Sequence, residues 1–263
     1  MKAQRIFALF LRHIYLYKRS LPRLMEIFYW PFLDLLLWGF ISLYLVQYKK
    51  DLPNFVAFFL GALILWDILF RSQQGISVSF LEDVWARNLL NLFASPMKPG
   101  EYIVSLMLVS AVKIIIAASV MSLLAWVFYS FNIFLIGMLL IPFILNLVIM
   151  GWAIGIVTTS LILRFGQQAE ILAWGITFLF QPVSAVFYPV SVLPSFLQTA
   201  ASYVPASYVF EGMRNTISTG AMPLRELFLS FGLNALYILI AFSLFQRLLR
   251  TVKKKGLLTR IGE

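Results

Sequence analysis

The sequence predicts an all-α fold, a polytopic membrane protein, from three observations. The chain is too oily for a water-borne core, its apolar stretches are long enough to cross a bilayer, and its basic residues gather on one side of those stretches. Of 263 residues, 61% are hydrophobic and only 12% charged, with a mean hydropathy of +0.89. A soluble domain is usually ~45–50% apolar and ~25% charged. A soluble enzyme and a disordered chain are therefore excluded.

A spanning helix needs ~20 predominantly apolar residues. Six such stretches predict six transmembrane helices: Ile27–Gln47, Phe55–Gln74, Ile103–Phe128, Phe134–Leu163, Ile171–Tyr188 and Leu227–Leu248. Runs this long read as helices because backbone groups in lipid must be satisfied internally; the ten-residue alternation of an outer-membrane barrel does not occur. Ahead of the first span, residues 1–24 read as an amphipathic N-terminal interfacial helix. Arg5, Arg12 and Arg19 share one face, and Ile6, Leu9, Phe10 and Ile14 form another, so the basic residues are free to meet anionic membrane lipid. These residues do not read as a secretory signal, since basic residues recur through them without a small-residue cleavage site.

Between the second and third spans, residues 77–100 read as a cytoplasmic segment with a short helix in the interface, oily toward the bilayer and polar toward the cytoplasm. Ser79 and Glu82 have capping-box spacing. Leu81, Trp85, Leu89 and Leu92 recur at helical intervals, and Pro96, Pro99 and Gly100 end the segment. The next connection on that side is only a tight turn around Arg164–Gln168. On the other side, the third and fourth spans are joined near Ser130–Asn132. Residues 189–224, before the last span, are apolar but interrupted by Pro189, Pro194, Pro205 and Pro223. They read as re-entrant outer helices, tolerated at that depth when covered by protein or lining a cavity.

The formal charge is +10, with a pI near 9.9, and its distribution sets the orientation. With both termini in the cytoplasm, fifteen Lys and Arg residues fall inside, including Arg260, against four outside: Lys49, Lys50, Arg214 and Arg225. This is the positive-inside pattern, and it removes the case for nucleic-acid binding. The expected location is the bacterial inner membrane.

Charged residues inside spans are costly and are functional candidates by default. Asp67 and Arg71, four apart, can neutralise each other. Asp34 and Lys113 have no partner in their own helices and are expected to pair between helices or to face a polar cavity. Gly151 and Gly155 form a GxxxG, which serves close packing either within one chain or between two. With no cysteine and one histidine, His13, thiolate metal sites and most Ser–His chemistry are excluded. No phosphate-binding loop of the form GxxxxGK[ST] occurs, so an energy source for uphill transport has to lie on another chain, and this chain is not itself expected to be an enzyme.

The stretch FYPVSVLPSFLQTAASYVPASYVFEGMR, residues 187–214, stands before the last span. Together with the six-span pattern, the amino-terminal helix and the Ser95-Pro96 exit of the second-to-third connection, it resembles the permease subunit of type-2 ATP-binding cassette (ABC) exporters. The resemblance covers nearly the whole chain and implies a single transmembrane domain over residues 1–263. It implies a homodimer, or a dimer with a related permease, bound to two copies of a separate cytoplasmic ATPase that carries ATP and Mg, with no cofactor in this chain. It places ATPase coupling at Glu82, Asp83, Arg87, Asn88, Ser95 and Pro96, with a smaller contact at Arg164 and Gln167. An outer gate falls at Pro189, Pro194, Pro205, Glu211 and Arg214, where Glu211 and Arg214 can equally form a local ion pair. The expected cargo is a drug, lipid or glycan-type molecule. Two other readings remain: an ATPase-independent secondary transporter or channel, and a non-transport membrane anchor.

Overall fold

The computed structural model describes residues 2–48, 55–133, 137–138 and 140–256, and among them the regular structure is helical, with no strand. Ten α-helices follow in order: α1 (Ala3–Lys18), α2 (Leu21–Tyr48), α3 (Phe55–Trp85), α4 (Leu89–Ala94), α5 (Pro99–Tyr129), α6 (Leu140–Phe165), α7 (Leu172–Phe180), α8 (Ser195–Ala201), α9 (Pro205–Thr219) and α10 (Leu224–Lys254). Four helical stretches are long and apolar enough to cross a membrane: Leu21–Gln47, Pro99–Tyr129, Leu140–Ala169 and Leu224–Lys254. Large apolar side chains such as Leu37, Trp126, Phe228 and Leu239 stay exposed on them. A protein in water rarely leaves that much apolar surface contiguous; in lipid it is the surface that contacts acyl chains. The chain is a multi-pass membrane protein.

Two expected spans take a different form. The second does not stop at Gln74. It continues without a break to Trp85, so α3 has 31 residues, about 46 Å at 1.5 Å per residue. No helix begins at Ser79: Ser79 is fully buried in mid-helix, and its hydroxyl accepts a hydrogen bond from Lys113 at 3.1 Å. Of the segment 77–100, only Leu89–Ala94 is a separate short helix. The fifth span shrinks to α7, nine residues and about 13 Å long, less than half of the ~30 Å hydrocarbon core. From Gln181 the chain turns, and Ala185 adopts a left-handed φ of 53°. Of the expected fourth span, residues 134–136 and 139 lie outside the described residues, as do Lys49, Lys50 and Arg260.

Helix α3 is the hub, packed against α2, α5, α6 and α7. Its seam with α6 requires glycine. A Cβ at Gly151 would stand 2.4 Å from Ser72 Cβ, and one at Gly155 would stand 2.9 Å from Gln73 O. The GxxxG is therefore used inside the chain. Buried polar side chains then fix the neighbours. The Gln73 amide donates to Ala173 O at 3.2 Å and accepts from Thr177 at 3.1 Å, which ties α7 to α3. Asn234 Nδ2 donates to Asn146 Oδ1 at 2.7 Å, which ties α10 to α6. In hydrocarbon these bonds replace partners that lipid cannot supply.

Candidate coupling and gating regions

The end of α3, the start of α5 and both terminal segments meet at one end of the bundle, the basic end. Three carboxylates there are already engaged. Glu82 receives Arg23 Nε at 3.0 Å. Asp83, 1% exposed, receives Arg12 Nη2 at 2.7 Å and the Tyr102 hydroxyl at 2.8 Å, with His13 Nε2 at 3.5 Å. Glu101 accepts the backbone N–H groups of Lys2 at 2.7 Å and Lys98 at 2.9 Å, with Arg5 Nη1 at 3.6 Å. Arg5 also donates to Pro96 O. Helix α1 is thus clasped by acidic groups on α3 and α5. Glu82 and Asp83 face inward, and Arg5 and Arg12 are bound to protein rather than left free for headgroups. The sequence reading passes over Glu101, which the helix-start spacing after Pro99 could have marked, and nothing in the sequence marks His13 as a partner of Asp83.

The remaining residues at this end form an exposed rim. Arg87 stands at the α3–α4 turn with φ +52°; it, Ser95 and Pro96 are exposed, and Asn88 is half-buried. Arg164 and Gln167 are exposed on the short 3-10 turn Gly166–Ala169 and just before it. The two turns are joined: Trp85 Nε1 donates to Glu170 at 3.3 Å, and its ring stacks on Trp174 at 6.3 Å between centroids. No sequence pattern linked Trp85 to Glu170, which are 85 residues apart.

At the far end, Pro194 precedes α8 and Pro205 opens α9. Pro189 caps a short 3-10 turn, Val190–Val192. Glu211 and Arg214 pair at 3.3 Å, and both also hold the loop after α7. Glu211 accepts the Val190 N–H at 2.5 Å. Arg214 donates to Tyr188 O at 2.6 Å and to Ala185 O, with its guanidinium 4.9 Å from the centre of the Phe58 ring.

Within the bundle, Asp67 and Arg71 pair at 2.8 Å. Lys113 donates to Tyr17 OH and Ser79 Oγ, its ammonium 4.0 Å from the Tyr17 ring centre. Burial first, and then Glu82, push the Tyr17 phenol well above its ordinary pKa, so it meets Lys113 as a neutral hydroxyl. Lys113, Tyr17, Arg23, Glu26 and Arg71 line a small cavity together with Ile27 and Val78. Asp34 is exposed on α2 and forms no ion pair among the described residues. No group of three or more metal-ligating side chains occurs among them either.

Comparison with protein families supplies the deciding observation: the model of the ABC-2 family transporter protein matches residues 38–246. The chain belongs to that family. The match begins late in α2 and ends in α10, so it takes in both exposed turns and the whole far-end segment, and leaves α1 outside. Comparison with curated proteins finds no match. The ABC-2 membrane subunit in this family serves transport and associates in general with an ABC ATPase.

Proposed function

We infer that this ABC-2 subunit is the permease of an ATP-driven exporter, paired with a second permease copy and with two copies of a separate cytoplasmic ATPase on which ATP and Mg reside. The observation that carries this is the joined rim at the basic end, where the turn at Arg87 and the turn at Gly166 are coupled through Trp85, Glu170 and Trp174. A push on either turn moves α3, and α3 packs on α2, α5, α6 and α7. That is the mechanical requirement for converting ATPase closure into helix motion, and an ATPase-independent channel has no use for it. The basic end is then cytoplasmic in a bacterial inner membrane, by the positive-inside rule. Helix α3 crosses as an inner helix, and residues 181–219 cap the path outside. The aromatic, weakly charged bundle suits a drug, lipid or glycan-type cargo.

Contact with the ATPase falls to exposed Arg87, Ser95, Pro96, Arg164 and Gln167 and half-buried Asn88, while Glu82 and Asp83 stiffen the rim from behind. Reconstituted with its ATPase, the Arg87→Glu variant is expected to keep the wild-type melting temperature and to lose at least tenfold in transport per ATP hydrolysed. An unchanged ratio refutes coupling at this turn.

A further inference from the structure

A cavity of about 470 Å³ opens between the start of α5 and the last turns of α10. Three of its lining residues are cations, Lys98, Arg250 and Lys253, and none is an acid. No carboxylate pairs with any of the three among the described residues. Their nearest candidate, Glu101, is fully buried and already holds Lys2, Lys98 N–H and Arg5. Lys253 donates to Phe93 O at 3.1 Å, with its ammonium 5.3 Å from the centre of the Phe93 ring. Next to the cations, the wall is apolar at Pro99, Gly100, Phe242 and Leu249, with Gln246 its one uncharged polar side chain. Gly100 lets the Phe242 ring pack close on α5 along this wall, since a Cβ there would stand 3.2 Å from the ring. Both α5 and α10 are long enough to span the bilayer, so the cavity lies where their basic ends leave the hydrocarbon. Cations at the headgroup level above an apolar wall match one amphiphile in charge and in polarity.

We propose that this cavity binds the phosphodiester headgroup of an anionic glycerophospholipid, with its acyl chains running down the Phe242 side of α10. Three unpaired cations in a concave site supply the anion's counter-charge, each worth a several-fold gain near an anionic membrane surface. Identifying the leaflet as cytoplasmic rests on the orientation inferred above. Lipid binding by the purified chain does not depend on the ATPase or on transport, so the two readings fail separately.

The full-length protein in neutral detergent is titrated with phosphatidylglycerol, with phosphatidylcholine of the same chains and with inorganic phosphate, and bound adducts are counted by native mass spectrometry. Phosphatidylglycerol is expected to bind at least tenfold more tightly than either of the others. The K98Q/R250Q/K253Q variant weakens its binding about a hundredfold. The K18Q/R19Q/K254Q variant, which removes the same charge outside the cavity, leaves binding within twofold. Gly100→Leu, which keeps every charge but pushes on Phe242, weakens binding at least tenfold. Equal loss in the two charge variants, equal binding of phosphatidylcholine, binding of phosphate alone as tight as that of the lipid, or undiminished binding in Gly100→Leu each overturns the proposal.

Discussion

Asp83 carries more of the structure than its position near a helix end suggests. Burying a carboxylate is expensive unless charged donors replace the lost water, and here Arg12, His13 and Tyr102 do so from α1 and α5. Asp83→Asn keeps the shape but removes the charge that balances Arg12. Breaking one partner of a buried pair costs about 3 kcal/mol, and that cost falls on the docking of α1. Hydrogen exchange over residues 3–18 should accelerate while exchange in α6 holds; equal protection in both proteins shows that α1 is held by its apolar face alone. Arg214 makes a second residue-scale case. A guanidinium presents several donors in a fixed fork, and a lysine has one compact charge. Arg214→Lys is therefore expected to release the Ala185–Tyr188 carbonyls nearly as fully as Arg214→Gln. Limited proteolysis between residues 181 and 194 reads this directly, and slow cutting in both variants rejects it.

Individual elements were legible in the sequence where hydrophobic length alone decides them. Helices α2, α5, α6 and α10 follow from their apolar runs, and the Asp67 and Arg71 pair follows from four-residue spacing. The extent of α3 was not legible. Ser79 and Glu82 form a start signal in local terms, and only the arrival of Lys113 and Arg23 from other helices satisfies those polar groups without a break. The same distant partners turned Glu82 and Asp83 inward, which i, i+4 spacing cannot reveal. Helix α7 was overestimated because composition continues to be apolar past Phe180, while the turn at Gln181–Ser184 and the left-handed Ala185 depend on bonds from Arg214. At the α3–α6 seam, Gly151→Leu would force a side chain into Ser72 and Leu69 O. Overpacking of that kind costs about 1–3 kcal/mol. A lowered melting temperature is expected, against no loss for Gly175→Ala, where a Cβ meets nothing within 4 Å; equal melting of the two variants shows that the helices separate without cost.

At the scale of the molecule, charge and oil divide the work. Exposed apolar side chains on α2, α5 and α10 face lipid, and most basic residues of the described segments gather at the end that carries the clasp, the rim and the cationic cavity. The family match spans 38–246, from late in α2 into α10, and the clasped α1 lies ahead of it. Since the seam formed by Gly151 and Gly155 is used against α3, the proposed permease pair would have to meet through other surfaces.

The clasp also imposes an order on biosynthesis. The backbone N–H of Lys2 bonds to Glu101, 99 residues downstream, and Arg12 awaits Asp83. At about 5–20 residues per second, the ribosome needs roughly 5–20 s after adding Lys2 before Glu101, the last anchor of α1, exists. Asp83 is made first and Glu101 last, so Arg12 gains its partner when α3 is complete and Lys2 and Arg5 gain theirs only once α5 has begun.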